Sequence, residues 1–252
     1  MNLDAYFARI GWHGSRAATT DVLAAIVAHH MQAIPFENLD VLLGDRPRLD
    51  VDSLERKLVH ARRGGYCYEH ATLVAAVLRE LGFEVRLHSA RVVMVTPRSS
   101  APRTHMFLSI GDLMIDPGFG GRAPRVPVPL DGTPAGGHRL VRDGADHALE
   151  LDGQRLWVSS LEADIPIDFE MANHFTATHP ASQFTQALMM RAYTDGGEVR
   201  VRNRDVRLLR GGETQTYQLA DRAELRALVA KHFGFDLPAI ESIRVPAVPE
   251  WR

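Results

Sequence analysis

Hydrophobic residues in the first third of the chain recur at helical spacing. Apolar side chains return every three or four residues over 20–34, which predicts a helix there. The same spacing predicts a second helix from Asp52 or Ser53 and a third over about 65–81, closed by Gly82. The first third of the chain is therefore predicted to be a helical unit.

Beyond residue 83 the pattern changes from helical to alternating. Residues 84–89 alternate apolar with polar side chains, which predicts a half-exposed strand. The segment 104–116 predicts a hairpin that turns at Gly111-Asp112, a pair suited to a two-residue turn. Glycine and proline are frequent over 117–139, which favours loops and short strands. Further short strands are predicted near 148–151 and 155–158, and a last helix over 221–233.

The turn at Gly111-Asp112 fixes which residues of the hairpin share a face. One face is then apolar and consists of Met106, Leu108, Ile110, Leu113 and Ile115, and the other consists of His105, Phe107, Ser109, Met114 and Asp116. On the second face His105 is diagonal to Asp116, a relation that places Cα atoms about 7–8 Å apart. A slip of one residue would destroy both the apolar face and the His–Asp pair. The residues alone support a structural histidine and a turn-forming aspartate equally well.

The single cysteine, Cys67, lies where a helix is predicted to begin. Two glycines precede it and permit a close approach of the backbone. In the first turn of a helix, free backbone N–H groups and the positive end of the dipole stabilise a thiolate, and Arg62 and Arg63 add positive charge. A thiolate is the form of cysteine that attacks carbonyl carbon. A buried cysteine that acts as a small hydrophobe is the equally supported alternative.

Composition and charge exclude several classes of protein. Hydrophobic residues make up 45% and charged residues 24% of the 252 positions, which is typical of a globular protein. Lys and Arg total 29 against 31 Asp and Glu, and no basic stripe predicts a nucleic-acid partner. One cysteine allows no intrachain disulfide and no cysteine-based zinc site, and the histidines show no metal-binding spacing, so no metal is expected.

The start of the chain gives no sign of export. Asp4 stands where a signal peptide would carry a basic residue, and no apolar run approaches the length of a membrane span. No glycine-rich nucleotide fingerprint occurs either. We therefore expect a soluble, cytoplasmic protein without a membrane partner.

Five short stretches, in order along the chain, resemble the arylamine N-acetyltransferase family. Each is modest alone, but five in the same order are specific. They are Pro35-Phe36-Glu37-Asn38-Leu39, Arg63-Gly64-Gly65-Tyr66-Cys67-Tyr68-Glu69, Thr104-His105-Met106, Asp116-Pro117-Gly118-Phe119-Gly120 and Thr178-His179-Pro180-Ala181-Ser182-Gln183-Phe184.

The resemblance implies an α+β fold in three parts. A helical domain over 1–85 would carry the nucleophile, an antiparallel β-barrel over 86–190 would carry its partners, and an α/β lid would span 191–252. The core would be like that of cysteine peptidases and transglutaminases.

The resemblance also implies a catalytic triad of Cys67, His105 and Asp116, with Glu37 and Arg63 paired beside it. The activity implied is transfer of an acetyl group from acetyl-CoA, the co-substrate, to an aromatic amine or hydrazine through an acetyl-cysteine, as in xenobiotic metabolism. For CoA it points to Gly120, Gly121, Arg122 and Thr104, and for the aryl group to Phe36, Phe119 and Phe184. Plain turn roles for these glycines and core packing for the phenylalanines are the alternatives.

Other functions use the same three residues. An amide synthase of secondary metabolism would pass a long acyl chain from a carrier protein to an amine. A thiol hydrolase or transglutaminase would release an acid to water or accept glutamine amides. A binding module with an unreactive cysteine is the non-enzymatic alternative.

Overall fold

The structure, a computed structural model, describes residues 1–251 and consists of helices, two antiparallel sheets and short 3₁₀ turns. The helices are α1 (Leu3–Ile10), α2 (Thr20–Ala33), α3 (Leu39–Leu42), α4 (Val51–Leu54), α5 (Cys67–Glu80), α6 (Pro166–Thr178), α7 (Gln183–Gln186) and α8 (Arg222–His232). The strands are β1 (Phe36–Glu37), β2 (Arg86–Val92), β3 (Arg103–Ile110), β4 (Leu113–Ile115), β5 (Val128–Pro129), β6 (His138–Asp143), β7 (Asp146–Leu151), β8 (Gln154–Ser159), β9 (Met189–Thr194), β10 (Gly197–Arg202), β11 (Asp205–Arg210) and β12 (Glu213–Gln218).

The predicted helices of the first third are present, with small shifts at their ends. Helix α2 is capped by Thr19, whose side chain accepts a hydrogen bond from the backbone N–H of Val22, so it begins at Thr20 itself. The second helix begins earlier than predicted because Asp50, and not Asp52 or Ser53, is its cap. It then widens into a π-helical stretch over Glu55–His60.

Helices α1, α2, α4 and α5 bury their apolar faces in one core. Helix α5 is the central element, since both sides of it are covered, and it ends where Gly82 adopts a φ of 90°. The apolar face of the predicted hairpin, with Met106, Leu108 and Ile115, packs onto this same core. The helical part and the hairpin are therefore joined through a shared interior.

Seven strands form an antiparallel sheet in the order β5-β4-β3-β2-β8-β7-β6, and its edge strands β5 and β6 contact each other, so the sheet nearly closes into a barrel. The predicted register of the hairpin is confirmed, because Ile110 pairs with Leu113 and Leu108 with Ile115. Phe107, Met114 and Trp157 fill the barrel interior.

One strand is more buried than its alternating pattern predicts. His88 on β2 was expected to face solvent, but it is only 3% exposed. Its ring stacks on Phe107 and bonds to Ser109 and to the backbone oxygen of Glu162, so the segment before α6 covers this strand. The predicted alternation therefore holds at Glu84 and Arg86, which are exposed, and is wrong at His88.

The second sheet has the order β1-β9-β10-β11-β12, and helix α8 packs on one of its faces to form a separate core. Strand β1 comes from the helical part of the chain, so the two parts share this sheet. An α+β fold of helices, a nearly closed barrel and a second sheet agrees with the fold class that the sequence predicts, while the boundaries at residues 85 and 190 stay a prediction. Helices α1 and α6 were not predicted. Over residues 1–251, no helix combines the length and the apolar character needed to cross a bilayer.

Candidate active site

The site begins at the turn before helix α5, where two glycine positions leave no room for a Cβ atom. A Cβ on Gly64 would lie 2.1 Å from the backbone oxygen of Pro35, and one on Gly65 would lie 2.6 Å from Oε2 of Glu69. The backbone of Gly65 is bonded on both sides, since its N–H donates to Pro35 O and its oxygen accepts from Glu37 N. The turn is therefore fixed against strand β1.

Cys67 is the first residue of α5 and is 3% exposed. Its Sγ lies 3.9 Å from the backbone oxygen of Thr104. The loop after β4 comes very close, because a Cβ on Gly118 would lie 2.6 Å from Cys67 Cα. Only glycine fits at position 118, and this contact brings the end of the barrel strand onto the start of the helix.

His105 and Asp116 meet as the hairpin register predicts. His105 Nε2 donates a hydrogen bond to Asp116 Oδ2 at 2.8 Å, and both residues are buried. Since Nε2 is engaged by the carboxylate, Nδ1 is the nitrogen available to Cys67. The structure thus brings Cys67, His105 and Asp116 together from a helix start, a strand and a strand end.

The environment of His105 favours its protonated form. Burial lowers the pKa of His105, but the Asp116 carboxylate and its hydrogen bond, together with Cys67, outweigh burial and raise the pKa to about 10. An imidazolium beside a sulfur atom stabilises a thiolate. The arrangement is therefore suited to a thiolate–imidazolium pair.

Asp116 has a second donor that the sequence analysis missed. Trp157 on β8 donates its Nε1–H to the same Oδ2 at 3.0 Å, while Oδ1 of the buried carboxylate has no hydrogen-bond partner. The indole is fully buried and stacks on Phe107 with ring centroids 4.3 Å apart. The carboxylate is thus held by two donors on one oxygen, one from strand β3 and one from strand β8.

A network of charges lies behind the turn, in which Glu37 and Glu69 are buried and the other members are partly buried. Arg63 contacts Glu37 at 2.9 Å and Asp40 at 2.6 Å, and Lys57 contacts Asp40 at 2.6 Å and Glu69 at 2.7 Å. Burial lowers the pKa of Lys57, but the three carboxylates raise it above its usual value, so the ammonium stays charged. Glu69 also accepts the backbone N–H of Tyr66, the cap of α5.

This network corrects one expectation and extends another. The positive charge of Arg63 was expected to act on Cys67, but Glu37 and Asp40 offset it, because the guanidinium is held between their carboxylates. The predicted pairing of Glu37 with Arg63 is present, with Glu37 buried and Arg63 partly buried, as part of a network of five charged residues. Asp40 and Lys57 were not predicted, because no local motif connects them with the turn.

Two buried histidines form a directional chain beneath the same turn. His70 Nε2 lies 3.1 Å from Gly65 O and 3.2 Å from Pro35 O, so it carries the proton. His70 Nδ1 then accepts from His30 Nε2 at 2.8 Å, and His30 Nδ1 accepts from the hydroxyl of Tyr6 at 3.0 Å. The polar atoms of this Tyr6–His30–His70 hydrogen-bond chain all have partners only while both imidazoles are neutral. Burial lowers the pKa of His70 to about 4, which favours its neutral form.

A cavity of about 610 Å³ opens above Cys67 and His105 between the barrel and the second sheet. It is lined by most of the residues predicted for CoA and the aryl group, namely Thr104, Gly120, Gly121, Phe36, Phe119 and Phe184. Arg122 is the exception and does not line the cavity. Its guanidinium bonds to Gln154 and its backbone oxygen accepts from His138, so it points along the barrel edge.

The second sheet contributes arginines to the cavity that the sequence analysis did not single out. Arg191 bonds to the backbone oxygen of Gly120, and the Arg200 guanidinium lies 3.6 Å from the Cβ position of Gly121. Glu198 bridges the two arginines at 2.6 and 2.5 Å. Arginine alternates with valine along β10, which was the signal in the sequence, but the alternation does not show which face of a strand borders a cavity.

No group of three or more His, Cys, Asp or Glu side chains in the described range 1–251 is arranged to hold a metal ion.

Comparisons with known proteins agree with one another. The family model described as N-acetyltransferase matches residues 19–242. The chain is 39% identical to the arylamine N-acetyltransferase of Escherichia coli K12, over 92% of this chain and 88% of the relative, and 38% identical to that of Mycolicibacterium smegmatis, over 94% and 93%. A solved structure of Mycobacterium marinum arylamine N-acetyltransferase in complex with CoA superposes with a TM-score of 0.88 at 33% identity, covering 95% of this chain and 94% of that one.

Proposed function

We propose, on the premise that this chain belongs to the arylamine N-acetyltransferase family and is an acyltransferase, that Cys67 carries the acetyl group between acetyl-CoA and an aromatic amine or hydrazine. The observation that carries the proposal is the position of His105, bonded to Asp116 on one side and next to Cys67 on the other, at the base of the large cavity.

In the first half-reaction the Cys67 thiolate attacks the thioester carbonyl of acetyl-CoA. The carbon–sulfur bond to CoA breaks, and His105 gives its proton to the departing sulfur. The product is an acetyl thioester on Cys67, with a neutral imidazole beside it. Free backbone N–H groups at the start of α5 would stabilise the oxyanion.

In the second half-reaction a neutral aromatic amine attacks the acetyl thioester. His105 takes a proton from the amine, the amide is released, and Cys67 leaves as a thiolate. Asp116 keeps the Nε2 proton of His105 in place through both steps, so Nδ1 alone exchanges its proton. The two half-reactions return the site to its starting state.

The apolar wall of the cavity suits this acceptor. Phe36 and Phe184 lie with ring centroids 6.3 Å apart, and Phe119 packs edge-on to His105 at 4.8 Å. An aryl ring held among these rings would present its amine to the sulfur. The CoA thioester would enter along the Gly120–Gly121 loop.

Intact-mass spectrometry tests the proposal. Mixing the protein with acetyl-CoA should add one acetyl group, and adding an aromatic hydrazine should remove it as the hydrazide. Cys67→Ser and Cys67→Ala should show neither labelling nor turnover while keeping the fold. Turnover by Cys67→Ala would rule out the covalent route, and release of free acetate in place of the amide would indicate a hydrolase.

A further inference from the structure

The face of the second sheet that borders the cavity carries a row of arginines. Arg200 on β10 pairs directly with Arg207 on β11, and Arg202 lies two residues further along the same face of β10. Like charges directly opposite each other destabilise a sheet. An anion beside these arginines would offset their mutual repulsion.

The carboxylates near the row do not supply enough negative charge. Glu198 is already shared between Arg191 and Arg200. Asp205, opposite Arg202, accepts a hydrogen bond from Gln218 at 2.8 Å. Within residues 1–251, Arg202 and Arg207 form no ion pair, although Arg202 reaches the side-chain oxygen of Gln183 at 3.5 Å.

Arg200 also has an unsatisfied donor. Its Nε is buried and has no hydrogen-bond partner, whereas one of its terminal nitrogens is held by Glu198. A buried N–H without an acceptor is costly. An anionic oxygen at this point would satisfy it.

A second cavity of about 480 Å³ lies over this row. Arg200, Arg202 and Arg207 line it together with a single carboxylate, Asp205. Arg200 and Arg202 also line the cavity above Cys67, so the two cavities are contiguous. A long ligand with its reactive end at Cys67 would reach the arginines with its other end.

We propose that Arg202 and Arg207, with Arg200 at the junction, bind the phosphate groups at the nucleotide end of the acyl donor. Guanidinium groups match phosphate oxygens in charge and geometry. The inference rests on the proposed function and makes it more specific. The donor is a free CoA thioester with its 3′-phosphate and diphosphate, because a pantetheine arm on a carrier protein has no nucleotide to occupy the row.

The test compares three donors that differ only at the far end: acetyl-CoA, acetyl-dephospho-CoA and acetyl-pantetheine. Arg202→Ala and Arg207→Ala should each raise the KM for acetyl-CoA roughly tenfold with kcat nearly unchanged, as expected for loss of a charge-assisted hydrogen bond. The KM for acetyl-pantetheine should not change. At least one of the two variants should lose its effect on acetyl-dephospho-CoA, which would identify the arginine that binds the 3′-phosphate.

Arg210→Ala is the matched control, because Arg210 is an exposed arginine on the same strand whose side chain alternates to the other face. An unchanged KM for acetyl-CoA in both row variants, or an equal rise for acetyl-pantetheine, would overturn the inference.

If the wild type uses none of the three donors, the proposed function fails. The arginine row is then tested separately, by calorimetric measurement of adenosine 3′,5′-bisphosphate binding. Weaker binding by Arg207→Ala than by Arg210→Ala would support an anion site, and equal binding would contradict it.

Discussion

The carboxylate of Asp116 is held by only two hydrogen bonds, both to the same oxygen. It is completely buried, and both of its donors, His105 and Trp157, bond to Oδ2. Since Oδ1 has no partner, loss of either donor leaves a buried negative charge with one hydrogen bond. The N–H of Trp157 therefore positions the carboxylate for His105.

Trp157→Phe keeps an aromatic ring in the barrel and removes this N–H. We expect the kcat for acetyl transfer to fall roughly tenfold with the KM for both substrates nearly unchanged, because the substituted residue does not line the cavity. Steady-state kinetics measures the effect. Trp12→Phe is the control, since it removes an indole N–H that donates to Ser15 far from the site.

The loss of a large ring can also disturb packing, so a second variant separates the two causes. Benzothienylalanine at position 157 has nearly the shape of tryptophan but no N–H. If that variant retains wild-type kcat, the hydrogen bond has no role in positioning Asp116.

At the scale of elements, the start of helix α5 is stabilised by a network of buried and partly buried charges. Three carboxylates, from Glu37, Asp40 and Glu69, surround the two cations Lys57 and Arg63. They come from strand β1, helix α3, the π-helical stretch and α5 itself. The network thus connects the turn before Cys67 to these four elements.

Lys57→Met removes the ammonium but keeps most of the aliphatic stem. We expect it to lower the free energy of unfolding by about 3–5 kcal/mol, because it leaves buried carboxylates without their partner. Urea denaturation measures the change. Lys231→Met alters the only other lysine of the chain, which is exposed, and should change stability by less than about 0.5 kcal/mol. Similar losses in the two variants would mean that the network contributes nothing specific.

At the scale of the whole molecule, Asn38 joins the helical part to the start of the second sheet. Its Nδ2 donates to the backbone oxygens of Phe184 and Ala187 at 2.9 Å, and its Oδ1 accepts from Met189 N at 2.8 Å. The side chain is buried, so it replaces water for three backbone groups. The second sheet, and with it one wall of the cavity, depends on this junction.

Asn38→Asp keeps the shape but turns the amide donor into a carboxylate that faces two carbonyl oxygens. We expect a loss of about 2–4 kcal/mol in unfolding free energy. Hydrogen exchange should become faster in β9–β12 before it does so in α5. Asn203→Asp is the control, because Asn203 serves only as an acceptor, for Leu188 N, and aspartate can replace it there. Exchange that accelerates equally in both regions would contradict a local junction.

The sequence by itself determined the local parts of the site. The spacing of apolar residues predicted α2 and α5, and the pair Gly111-Asp112 was enough to predict the register that places His105 beside Asp116. These features depend on neighbours a few residues apart, so short segments of the sequence are enough to predict them. The family resemblance supplied the fold class, which no periodicity could give.

Only the tertiary structure decided which distant groups complete the site. Trp157 donates to Asp116 across 41 positions, and Asn38 bonds to Met189 across 151. The burial of His88 and the position of Arg122 outside the cavity also depend on which distant segments pack against each residue. Such contacts arise when whole elements pack against each other. Local patterns in the sequence do not indicate which side chains this packing brings together.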